Sequence, residues 1–218
     1  MSAELLLVVG GLALLDMLSP ATLGVTVYLL LTEKERLSSR LMIYLSTVAA
    51  FYFFVGIVFM LGLDVLLTAF SSIFQNRIVS WVMLIIGVLL FIASFYYPKS
   101  EKNDLPRPKS KSKSSMIALG FTTSLIEVGA AFPYFAAIGL MSTSNLAVYQ
   151  WLPTLVGYNL VMVLPPIILL TLHLLLGRVM QRPLERLRIK LSKYSGSAIS
   201  WMMSIVGLIL IFYSLDYL

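Results

Sequence analysis

The chain has 218 residues, 59% of them hydrophobic and only 12% charged, against ~25% charged in ordinary soluble domains. So little polar surface excludes a water-soluble globular domain of this length. The formal charge of +6 sits in short stretches beside apolar runs, without the interleaved aromatics of a nucleic-acid groove, and the absence of cysteine excludes disulfides, thiol redox chemistry and thiolate metal sites.

A crossing of the bilayer takes ~20 apolar residues, and runs of that kind predict helices near 4–31, 40–67, 77–97, 116–141, 149–176 and 197–217. The first is apolar from Leu5 but has no basic stretch ahead of it and carries Glu4 and Asp16, so it reads as a retained span and not as a cleaved signal peptide. Asp16 falls near its middle. A carboxylate at the bilayer centre costs roughly 2.5–3.5 kcal/mol, so it has to face a wet cavity, meet a donor or take up a proton. The residues that follow, Ser19-Pro20-Ala21-Thr22-Leu23-Gly24, predict a break. Proline removes a backbone donor and crowds the preceding turn, and the freed carbonyls then need other partners.

After the second and third spans comes Pro98 to Ser115, rich in Pro, Ser and Lys and too poor in apolar residues to pack, which predicts a flexible linker over 98–115. It separates a first half, 1–97, from a second, 116–218. The fourth span repeats the pattern of the first: Glu127 lies near its middle, Thr123 and Ser124 precede it, and Gly129, Ala130, Ala131 and Pro133 follow. The fifth holds Pro153, Asn159 and the Pro165-Pro166 pair, which predict a kinked or unwound middle. His173, the single histidine, comes near its end; a lone histidine there is more often interfacial than a proton shuttle. Between Arg178 and Lys193, basic residues alternate with Leu184, Leu187, Ile189 and Leu191. That pattern suits an amphipathic segment on the inner membrane surface, but charges that set topology explain it better than recognition of anionic lipid.

Of the 16 Lys and Arg residues only Arg77 lies off one set of alternate loops. This bias places those loops in the cytoplasm and both termini outside, as six spans require. The third and sixth spans superpose without gaps: Ser80, Trp81, Met83, Ile85, Gly87, Leu90, Ser94 and Tyr97 match Ser200, Trp201, Met203, Ile205, Gly207, Leu210, Ser214 and Tyr217. The second and fifth agree more sparsely, through Thr47 with Thr154 and Phe51-Tyr52 with Tyr158-Asn159. Three helices finish on the opposite face, so a second copy is inverted. The expected fold is therefore an all-α integral membrane protein of six transmembrane helices in two inverted three-helix repeats.

Inverted repeats suit alternating access around a midplane site. In that reading Asp16 and Glu127 bind a cation or exchange protons. Ser19, Thr22, Thr123 and Ser124 supply hydroxyls to cargo or freed backbone, Pro20 and Pro133 break the helices, and Asn159 adds a polar contact. A single hydroxyl more often bonds back to its own helix, so the clustering carries the argument. One histidine and no cysteine disfavour a transition-metal site. No Walker loop or nucleophile elbow is present, no cofactor is expected, and a membrane enzyme would lack a nucleophile or metal near an interface. The alternative to a carrier is a non-transporting membrane partner, with the acids as contacts between helices.

Six spans in two halves with polar, proline-bearing first helices resemble the LysE (lysine exporter) superfamily of small bacterial transporters. Through Leu15-Asp16-Met17-Leu18-Ser19-Pro20 and Gly120-Phe121-Thr122-Thr123-Ser124-Leu125-Ile126-Glu127 the chain looks most like its GAP/Sap group, the glycopeptidolipid- and sulfolipid-addressing proteins. The resemblance implies a multi-pass protein of the bacterial cytoplasmic membrane that exports a lipid-linked or small envelope molecule such as a glycolipid. Its partners would then be membrane lipids, the cargo, and further copies or export proteins, with no nucleic acid.

Overall fold

A computed structural model describes the backbone of residues 1–32, 36–74, 77–96 and 112–215. Among these residues the chain is helical throughout: α1 (Ala3–Asp16), α2 (Pro20–Thr32), α3 (Leu37–Phe74), α4 (Arg77–Tyr96), α5 (Lys113–Val128), α6 (Phe132–Thr143), α7 (Val148–Leu176), a 3-10 turn (Gly177–Met180) and α8 (Gln181–Leu215). Lipid offers a backbone no hydrogen bonds, and helices satisfy theirs within the segment.

Among the described residues three helical stretches are long and apolar enough to cross a membrane, Leu37–Gly62, Val79–Tyr96 and Val148–Leu176. Two further runs qualify as bent pairs, α1 with α2 at 49° and α5 with α6 at 74°. Both bends fall at the proline- and glycine-bearing segments expected to break. The sixth expected span, 197–217, lies on the later part of α8, with 216–217 outside the described residues. Most of the expected linker lies outside them as well. Its last residues, Lys113 to Ser115, are helical, because Ser112 accepts a hydrogen bond from the Ser115 N–H at 3.1 Å and caps α5 one turn early.

The fifth span, expected to be kinked or unwound at its middle, is not unwound: α7 runs as one helix from Val148 to Leu176 with Pro153, Pro165 and Pro166 inside it. A proline removes single bonds of the ladder and leaves the rest, and unwinding in lipid would free more. The basic segment 178–193 is likewise not set apart from the last span, since α8 continues from Gln181 to Leu215. No proline intervenes, and the ~1 kcal/mol penalty of Gly196 is too small to end a helix.

The chain forms two compact units that cut across the sequence halves: 1–61 with 104–192, and 62–103 with 193–218. In the first unit α1 packs against α6 and α7, while α2 packs against α7 and α5. The first limb of each broken span thus lies beside the second limb of the other. Tyr44, Tyr52, Tyr134, Leu29, Leu41 and Leu155 are fully buried there. Gly56 admits the Tyr134 hydroxyl; a methyl group at that glycine would collide with it and come within 2.7 Å of Leu155 Cδ1.

In the second unit the backbones of α4 and α8 touch. A Cβ on Gly87 would lie 2.9 Å from the Gly207 carbonyl oxygen, and one on Gly207 would lie 2.8 Å from that of Gly87. Small residues permit such approach between membrane helices. Ser94 Oγ and Ser204 Oγ are 2.7 Å apart beside the contact.

Candidate functional site

The break in the first span is built residue by residue. Asp16 is the last residue of α1, and the chain then makes a tight turn in which the Ser19 N–H reaches the Asp16 carbonyl at 3.2 Å. Pro20 opens α2 at the first helical position, where its missing N–H costs nothing. Ser19 caps that helix, its hydroxyl accepting from the Thr22 N–H at 3.4 Å. The second break is shorter of caps. After Val128 the N–H groups of Ala130 and Ala131 turn back to the carbonyls of Glu127 and Val128, at 2.8 and 3.2 Å. Phe132 and Pro133 then start α6, with no side chain capping it.

Because the broken spans lie limb against limb, Glu127 of α5 reaches the start of α2. Thr22 Oγ1 donates to Glu127 Oε2 at 2.6 Å, and the N–H groups of Ala21 and Thr22 point toward the same carboxyl. The N-terminal end of a helix carries partial positive charge and suits an acid. Asp16, like Glu127 in the last turn of α5, stands at the negative end of its own helix, but its partner is the hydroxyl of Tyr158, which donates to Asp16 Oδ2 at 3.2 Å. The two acids are close enough to act on one another electrostatically.

Four tyrosines that the sequence did not mark as site residues fill the space around them. Tyr52 of α3 lies within electrostatic reach of both Asp16 and Glu127. Tyr134 of α6 donates to the Tyr52 carbonyl, and its ring meets those of Tyr52 and Tyr158 edge-on at centroid distances of 5.2 and 5.3 Å. Tyr44 sits beside Thr22 and Thr123, near Glu127. A signal was present: Tyr44, Val48, Tyr52 and Gly56 recur every four residues and so share one helix face.

Of the expected site residues, Thr22, Thr123, Ser124 and Asn159 are buried in the first unit and Asp16 and Glu127 are half-buried beside them, with Ser19, Pro20 and Pro133 at the breaks. Thr123 does not serve freed backbone; its hydroxyl donates to Leu119 O at 2.7 Å, one turn back on its own helix. Asn159 Nδ2 likewise donates to Leu155 O at 2.8 Å. Buried polar atoms here that make no hydrogen bond are Tyr44 Oη, Ser124 Oγ, Glu127 Oε1 and Asn159 Oδ1. Such atoms are costly and concentrate where a ligand or proton is handled.

Two cavities of about 520 Å³ each lie elsewhere in this unit, one between α3 and α5 and one at the junction of α2, α3, α7 and α8. Neither is lined by the acids. His173 lines the second, which removes it from the acid cluster.

A family model described as Sap, sulfolipid-1-addressing protein matches residues 9–215, in agreement with the resemblance drawn from the two motifs around Asp16 and Glu127. No curated protein and no solved structure matches the chain.

Proposed function

Because the chain belongs to the Sap, sulfolipid-1-addressing protein family, we propose that it is a small carrier, not an enzyme, that exports a lipid-linked envelope molecule across the bacterial cytoplasmic membrane. The observation that carries this reading is the meeting of two broken spans over a buried cluster holding Asp16, Glu127 and unpartnered polar atoms. Discontinuous helices at mid-membrane form the substrate and coupling-ion sites of many secondary transporters. Among the described residues, no basic side chain is among the groups that act on either acid. A proton or another cation is therefore the natural counter-charge, and the acids would couple its movement to that of the cargo.

The reading takes the chain as six spans in inverted halves, like the LysE superfamily it resembles, with both termini outside. Two contacts support the inversion. Limb-against-limb packing of α1 with α6 and α2 with α5 is what two broken spans make when they run side by side in opposite directions. Gly87 and Gly207, matched in the repeat, each approach the other's carbonyl oxygen, as equivalent residues do beside a two-fold axis.

The test is flux into vesicles containing only this protein. Lipid cargo should move in a pH-dependent manner. Asp16→Asn and Glu127→Gln should each slow it by at least about a hundredfold, the scale at which a lost proton-transfer group acts. Unaltered flux in both variants would remove the acids from the mechanism. The lack of a basic partner also favours a second reading, export of an amino acid or cation, in which those solutes move and lipid does not. Lipid movement that requires a co-purifying protein would instead make the chain an accessory partner.

A further inference from the structure

The junction cavity is lined by Arg36, Ser38, Ser39, His173 and Gln181 together with apolar residues at the ends of α2 and α7, and none of its described lining residues is an acid. Arg36 precedes the first turn of α3 in the left-handed conformation, at φ 51. That is uncommon outside glycine and is found where surroundings enforce it. His173 adds a buried Nδ1 that has no hydrogen-bond partner. Met180 and Leu184 are buried in the core and tie the start of α8 down beside the cavity. A guanidinium, an imidazole, hydroxyls and an amide around one space suit a tetrahedral oxyanion.

The second cavity begins where the first ends. Both are lined by Ser39. From there a groove runs along one face of α3 past Met42, Ser46 and Ala50, with Ile117 of α5 on its other side. From Ser39 to Ala50 it follows α3 for about 16 Å, at ~1.5 Å per helical step. α5 is held close to α3 here, since a methyl group on Gly120 would lie 2.9 Å from Thr47 Cβ. A basic, polar pocket continuous with a mostly apolar groove has the shape and charge pattern of an amphiphile.

We propose that the two cavities form one seat for an anionic lipid, with its phosphate- or sulfate-ester headgroup against Arg36 and His173 and an acyl chain along the groove. The seat lies at the end of the unit that carries the basic loops, the cytoplasmic end by charge bias. It is separate from the acid cluster. Lipid retention is measured without transport, so the seat and the carrier reading fail independently.

The experiment is native mass spectrometry of the full chain in detergent, offered phosphatidylglycerol and phosphatidylcholine of identical acyl chains in equal amounts. The wild type should retain the anionic lipid in preference. Arg36→Asn, which keeps a residue tolerant of the left-handed conformation, should cut that preference about fivefold, the weight of one basic residue at a lipid surface. Arg188→Gln, on the exposed face of α8, should leave it unchanged. Ser46→Trp, at an exposed position in the groove, should lower retention of both lipids. Absence of preference in the wild type, an Arg36→Asn variant equal to wild type, or an Arg188→Gln loss as large as that of Arg36→Asn would each overturn the seat. So would displacement of neither lipid by Ser46→Trp. If inorganic sulfate alone raises the unfolding temperature and loses that effect in Arg36→Asn while neither lipid is retained, the pocket serves a free anion and the lipid proposal fails.

Discussion

Glu127 and Asp16 are both carboxyls at helix ends, yet their surroundings differ. Each sits at the C-terminal end of its own helix, which already carries partial negative charge; Glu127 is met by the Thr22 hydroxyl and by the opening turn of α2, whereas Asp16 has one tyrosine hydroxyl for relief. Thr22→Val would leave Glu127 Oε2 buried without its donor and should cost about 1–3 kcal/mol of stability, read as a lower unfolding temperature in detergent. Ser124→Ala removes a hydroxyl that makes no hydrogen bond and should change stability by less than ~0.5 kcal/mol. An equal loss in the two variants would mean that the Thr22–Glu127 bond holds nothing. The acids and Thr22 were legible because a charge in the middle of an apolar run is expensive wherever it points. The tyrosines were not, because a tyrosine in such a run reads equally as packing. Its hydroxyl gains a role only once the rotation of the helix is known.

At the scale of elements, the breaks of spans one and four could be read from Pro20 and from Gly129 with Pro133, since each alters the backbone locally. In α7 the same residues produce no break, since Pro165 and Pro166 sit inside an unbroken helix; a proline says that bonds are missing, not whether neighbours hold the helix together. The fusion of the basic segment with the last apolar run in α8 was hidden for a similar reason, because the change in polarity suggested a boundary that the backbone does not observe. Packing between elements depends on glycines whose spacing alone conveys little. Gly56→Ala would drive a methyl group into Tyr134 and Leu155 and should cost about 1–3 kcal/mol, as overpacking does. Gly139→Ala, with nothing within 4 Å of the added carbon, should be neutral or slightly stabilising, as replacing a mid-helix glycine usually is. Thermal unfolding of the two variants side by side checks this, and equal behaviour would show that α3 is not pressed against α6 and α7.

For the whole molecule, the lack of native cysteine makes topology directly measurable. Ser2→Cys should react with a membrane-impermeant maleimide on intact cells, and Ser110→Cys only after the membrane is opened; the reverse pattern would overturn the orientation drawn from the basic loops. The charge bias and the half-to-half matches are what this orientation is drawn from, and the labelling is its test. The grouping into compact units was not readable from sequence, because it depends on which helices meet, and the first two expected spans of each half collect in one unit while the third and sixth meet in the other. The limb-against-limb packing of the broken spans has a mechanical result. Each bend is gripped on one side by the arm of its counterpart, so neither can straighten without pushing on the other. The pair is built as linked elbows, so a change of angle at one strains the other.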